Sequence, residues 1–146
     1  MVKTTTQVNS FNAIASSTAQ SAIAIGKKHN APASDKKYDS IKEIVKRFDL
    51  DKTEVKQLFG ISQSTQFRYE KQNPVLKIAV ADRLERFNRI IKLALELFED
   101  EAETKRWLST PKTALSGQTP LQAIATDAGA KTVEEMLYRA EYGMFG

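Results

Sequence analysis

The stretch from Trp107 to Leu137, WLSTPKTALSGQTPLQAIATDAGAKTVEEML, leaves the chain little freedom, because three helix starts are crowded into it. Thr110 precedes Pro111 and Thr119 precedes Pro120. A Thr at the cap followed by Pro at the first helical position favours a start, since Pro lacks only a donor that would be unpaired there and its φ is already helical. Thr132 with Glu135 has the spacing of a capping box. Gly117 and Gly129 stand where short helices should stop, because glycine takes the left-handed cap conformation without steric cost. The expectation is a set of short helices joined by tight turns, with Trp107, Leu108, Leu115, Leu121, Val133 and Leu137 as its core.

Chemistry of its own is hard to place in this chain. It has no cysteine, so disulfides and thiolate metal sites are excluded. The single imidazole, His29, lies in a polar linker without the convergent partners that a metal site or a triad needs. No glycine-rich phosphate loop is present. We expect a binding protein with no cofactor and no metal, not an enzyme. No run of about 18 apolar residues marks a membrane span, and no basic stretch followed by an apolar core marks a secretion signal. A bacterial cytoplasmic location is the expectation.

Charge divides the 146 residues. Residues 1–80 carry 13 Lys and Arg against 7 Asp and Glu, a net of +6, while residues 81–146 carry 9 against 11, a net of −2. A basic front half suits a polyanion such as DNA.

Residues 1–37 are rich in Thr, Ser, Ala, Gln and Asn, with a weak helical spacing near 8–25 and a linker over Lys27–Lys37 that holds Pro32 and four lysines. From Ser40 the pattern is definite. Ser40 with Glu43 has capping-box spacing, and Ile41, Ile44, Val45 and Phe48 form one apolar face. Asp51 with Glu54 starts a second helix that Gly60 ends, and Ser62 caps a third, from Gln63 to about Gln72. Helix, glycine turn and helix is the pattern of a DNA-reading helix-turn-helix, whose second helix enters the major groove N-terminus first. Ser62, Gln63, Ser64, Thr65, Gln66, Arg68, Tyr69 and Lys71 are the candidate DNA-binding residues. Arg pairs bidentately with guanine and Gln with adenine, and hydroxyls bond phosphates or bases. Phe67 is expected to point inward. A single such helix reads only a few base pairs, so a homodimer on an inverted repeat of operator DNA is expected.

Asn73-Pro74 is expected to open a long helix to about Phe98, with one stripe through Leu76, Val80, Leu84, Phe87, Ile91, Ala94 and Phe98. A second stripe through Ile90, Leu93 and Leu97 requires cover on a second side, by the C-terminal module or by a second copy. Glu99, Asp100, Glu101 and Glu103 suit the positive end of the helix that follows. At the end of the chain, Val133, Met136, Leu137 and Ala140 share a face that should pack inward. Tyr142, Met144 and Phe145 either finish the module's own core or fill a partner's groove.

Over residues 40–146 the chain resembles the Xre/MbcA/ParS-type antitoxins, partners of RES-domain toxins. The resemblance rests on Trp107-Leu108, Pro111, Ala114-Leu115, Gly117, Thr119-Pro120-Leu121, Ala128-Gly129 and Val133 to Leu137, and on the segment Gly60 to Arg68. It implies an all-α fold: a Cro/Xre-like helix-turn-helix over 38–75, a connecting or dimerisation helix over 76–100, and a small toxin-binding module over 101–146, with 1–37 an arm outside the resemblance. It also implies an antitoxin that neutralises an NAD-consuming RES-domain toxin by direct binding near its NAD site and represses its own operon. On that reading Arg139, Glu141, Tyr142, Met144 and Phe145 are the candidate toxin-binding residues. The alternative is a stand-alone helix-turn-helix repressor with a C-terminal dimerisation or sensing module.

Overall fold

A computed structural model describes residues 34–143, and among these the secondary structure is helical. Helix α1 spans Asp39–Phe48, α2 Lys52–Phe59, α3 Gln63–Gln72, α4 Ile78–Phe98 and α5 Glu101–Leu108. A 3₁₀ turn follows at Thr113–Leu115, then α6 at Pro120–Ala123 and α7 at Asp127–Glu141. Among the described residues the only strand-like pairing is an isolated antiparallel bridge between Lys37 and Val75. The expected helix near 8–25, most of the lysine linker and His29 lie outside the described residues.

That bridge changes two expected helix starts. Tyr38 donates its N–H to the carbonyl of Pro74 at 3.0 Å, and Leu76 donates to Lys36 at 2.8 Å. Because the chain stays extended through Val75, the long helix begins at Ile78 and not at Pro74. Asn73 closes α3 instead, in a left-handed conformation at φ +44°. Its side chain then crosses to α1, where Oδ1 accepts from the N–H of Asp39 at 2.9 Å and Nδ2 donates to the Asp39 carboxylate at 2.7 Å. Helix α1 therefore starts at Asp39, with its first donor satisfied from 34 residues away. The Ser40–Glu43 box is not made.

Where a cap needs only its own next turn, the sequence pattern holds. Asp51 and Glu54 satisfy each other's N–H at 2.8 Å, and Gly60 closes α2 at φ +71°. Ser62 accepts from Thr65 at the start of α3, and Asp100 accepts from Ala102 at the start of α5. Thr119 and Gln122 cap each other around Pro120.

Three expectations in the C-terminal stretch are corrected. The Thr110 hydroxyl donates backward to the carbonyl of Arg106 at 2.6 Å, so it tightens the end of α5 and starts no helix at Pro111. The Thr132 hydroxyl likewise donates to Ala128 at 3.1 Å and lies inside α7. The cap of α7 is Thr126, whose Oγ1 accepts from Gly129 at 3.0 Å. Gly129 thus belongs to the first turn of α7 and does not end a helix. It has no side chain because the carbonyl of Ala123 fills the space where Cβ would stand.

Helix α4 is the axis of this unit. Ala81, Leu84, Phe87, Ile90, Ile91 and Ala94 are all buried, so the helix is covered on more than one side. Phe87 meets Phe59 and Phe48 edge-on, at centroid distances of 5.6 and 5.8 Å. Such T-shaped pairs add about 0.5–1.5 kcal/mol each beyond their area. On its other side α4 holds α7. Arg86 donates to the Asp127 carboxylate and to the Ala125 carbonyl at 3.1 Å, and Arg89 lies 3.7 Å from Glu134. Arg47 of α1 donates to Glu101 of α5 at 2.7 Å, and this contact holds the Glu101 carboxyl below its usual pKa.

Candidate functional site

Helix α3 has a clear inner and outer side. Gln66 is 3% exposed, and its Nε2 donates to the carbonyls of Ile61 at 2.9 Å and Lys52 at 3.0 Å. It ties α3 to the turn and to the start of α2, and so it is not free to meet a base. Phe67, expected to point inward, is 58% exposed. The two corrections have one cause. Residues 100° apart on a helix face different ways, and the inner position is taken by the side chain that donates to the carbonyls of Ile61 and Lys52.

The other candidates on α3 divide in the same way. Thr65 is half-buried, and its hydroxyl accepts from Ser62 at 2.8 Å. Tyr69 is half-buried with its ring edge-on to Tyr38 at 5.5 Å, and the Arg68 guanidinium lies 5.7 Å above it. Ser62, Gln63, Ser64, Arg68 and Lys71 are exposed. The outer face is therefore polar, with Arg68 and Lys71 against a single acid, Glu70; Phe67 stands in its middle, and the Lys71 ammonium is 4.8 Å from the centre of its ring. Composition alone did not place Phe67 there. The signal was its spacing, four residues from Gln63 and four from Lys71.

The C-terminal elements close over Leu108, Leu115, Leu121, Val133 and Leu137, all buried. Trp107 is half-buried, with its ring 5.7 Å from Phe98 and the Lys112 ammonium 5.3 Å from its centre. It lids this core at the end of α4 and does not fill it. On α7, Val133 and Leu137 are buried, while Met136 and Ala140 are half-buried.

Arg139, Glu141 and Tyr142 stand exposed at the end of α7, and Tyr142 is 71% exposed. Met144 and Phe145 lie outside the described residues. One exposed side chain here was missed: Tyr138, 40% exposed and one helical turn before Tyr142. Two tyrosines at four-residue spacing were its signal. Among the described residues no cluster of His, Cys, Asp and Glu could hold a metal ion, and no helix is long and apolar enough to cross a membrane.

Comparison with known proteins separates the same two regions. Residues 29–89 match the model of the antitoxin Xre-like helix-turn-helix domain. Residues 93–143 match that of the antitoxin Xre/MbcA/ParS C-terminal toxin-binding domain. Both matched models describe binding domains. An Antitoxin Xre of Pseudomonas putida is 41% identical over 76 residues, 52% of this chain and 47% of that protein. An Antitoxin Xre of Yersinia enterocolitica is 28% identical over 97 residues, 66% of each. The chain thus spans about half the length of the first relative and 66% of the second.

Proposed function

From the premise that the chain belongs to the Xre/MbcA/ParS-type antitoxins, we propose that it neutralises a toxin by direct protein binding and represses its own operon. The toxin is an NAD-consuming protein of the RES-domain class. The observation that carries this reading is the tandem of two matched binding domains, each with an exposed face of its own.

On the DNA side, α3 enters the major groove of an inverted repeat, and two copies of the chain bind together. Arg68 pairs with guanine and Gln63 with adenine through two bonds each, while Ser62, Ser64 and Lys71 bond phosphates. Gln66, Thr65 and Tyr69 hold the helix at its angle and touch no base. Helix α4 links the two modules and supplies part of the dimer contact.

On the toxin side, the end of α7 docks at the toxin's active site. Tyr142, Met144 and Phe145 fill an apolar groove there. Each large side chain buried contributes about 1.5–3 kcal/mol before the cost of ordering the segment. Arg139 and Glu141 fix the orientation at the rim. Two measurements test the whole reading. A tagged chain co-expressed with the product of the neighbouring gene should carry that product through purification, and footprinting should protect an inverted repeat upstream of the pair. If neither occurs, the reading is wrong.

A further inference from the structure

The exposed ring of Phe67 is out of keeping with its surroundings on α3. A large apolar side chain that is 58% exposed gains little in water, and no apolar neighbour shares its face. Gln63, Ser64 and Lys71 on its face and Arg68 beside it are polar or cationic, with Glu70 the one acidic neighbour. A surface of that charge favours a polyanion over an apolar protein groove. Within the major groove of DNA the base edges present one apolar group only, the C5 methyl of thymine, and a Phe side chain can pack against it.

We propose that Phe67 is a specificity-determining residue that packs on a thymine methyl in each operator half-site, between the base read by Gln63 and the phosphate met by Lys71. This inference rests on the DNA-reading role proposed for α3. Lys71, now 4.8 Å from the ring centre, keeps the ring's outer face occupied in the free protein and turns to a phosphate on binding.

The test replaces the thymines of the footprinted site one at a time with uracil, which removes the methyl and nothing else. Binding is measured for the wild-type chain and for Phe67→Ala. One methyl buried corresponds to about fourfold in affinity. At one thymine per half-site, uracil should weaken the wild type by about fourfold and leave Phe67→Ala unaffected, while both proteins respond equally at every other position. Phe67→Leu should keep part of the response. Unchanged helical content would show that the variants are folded.

A uracil scan that is flat for the wild type, or identical in Phe67→Ala, overturns the proposal and leaves DNA reading by α3 intact. Loss of dimer or of the co-purified partner in Phe67→Ala, with the uracil profile unchanged, also overturns it and places the ring in a protein interface. Absence of any protected duplex overturns DNA reading itself, and this inference with it.

Discussion

Gln66 donates its Nε2 to the carbonyl of Ile61 at 2.9 Å, across the turn that joins α2 to α3. The same nitrogen reaches the Lys52 carbonyl at 3.0 Å, so one amide sets the angle between the two helices. Gln66→Ala removes both of these bonds and leaves the Ile61 carbonyl without its side-chain donor, which should cost about 1–3 kcal/mol of stability. Gln66→Glu should cost more at neutral pH, since a carboxylate would face two carbonyl oxygens. Urea unfolding of the two variants gives the values. An unchanged midpoint for Gln66→Ala would mean that the bonds are not structural.

Arg68→Ala should act on DNA binding and not on folding. Arg68 is exposed, so its loss should leave stability within about 0.5 kcal/mol of the wild type. Operator binding should fall by about 1–3 kcal/mol, with relaxed preference at one base pair. Lys71→Ala should weaken binding to all sequences alike and lower the salt dependence by about one counterion. Equal losses on operator and on random DNA for Arg68→Ala would rule out its base contact.

Gly129→Ala should destabilise the junction of α6 and α7. An added Cβ would overlap the Ala123 carbonyl oxygen, which is backbone and cannot swing away. A cost of about 1–3 kcal/mol is expected, as for other overpacked sites. Thr126→Ala, which removes the α7 cap, should cost about 1 kcal/mol. Thermal unfolding of both variants checks the order. A Gly129→Ala protein as stable as the wild type would contradict the close approach.

Trp107→Ala should cost less than the loss of a fully buried aromatic. The ring is half-buried on Phe98, so about 1.5–2.5 kcal/mol is expected against about 3–5 for a core position. Denaturation and partner co-purification should weaken together. Full stability with loss of the partner would make Trp107 an interface anchor.

The legible parts of the fold are those where a signal and its receiver lie within one turn. Asp51–Glu54, Ser62–Thr65 and Thr119–Gln122 were readable because each cap closes on the third residue after it. Asn73 was not, because its side chain serves α1, which only tertiary structure brings near. Thr110 and Thr132 misled for a different reason. A hydroxyl can accept from the turn ahead or donate to the carbonyl four residues behind, and the residue type does not say which.

At the candidate site, the helix was legible and its rotation was not. Helix α3 is polar nearly throughout, so no apolar stripe marks its buried side. By residue type Phe67 belongs inward and Gln66 outward, and the carbonyls of Ile61 and Lys52 reverse both. The core of the C-terminal module, built from leucines and Val133, posed no such ambiguity.

Co-expression of the proposed toxin from the neighbouring gene with a chain lacking residues 142–146 tests the central claim, that the segment following α7 is the inhibitory element. The deletion removes the exposed Tyr142 and the two large side chains after it, and leaves every buried residue of α7 in place. Growth and cellular NAD are scored against the full-length chain. The expected result is a folded protein that still protects its operator in a footprint but leaves cells arrested and depleted of NAD. Full protection of growth and NAD by the truncated chain would contradict the claim and assign inhibition to the module's surface instead.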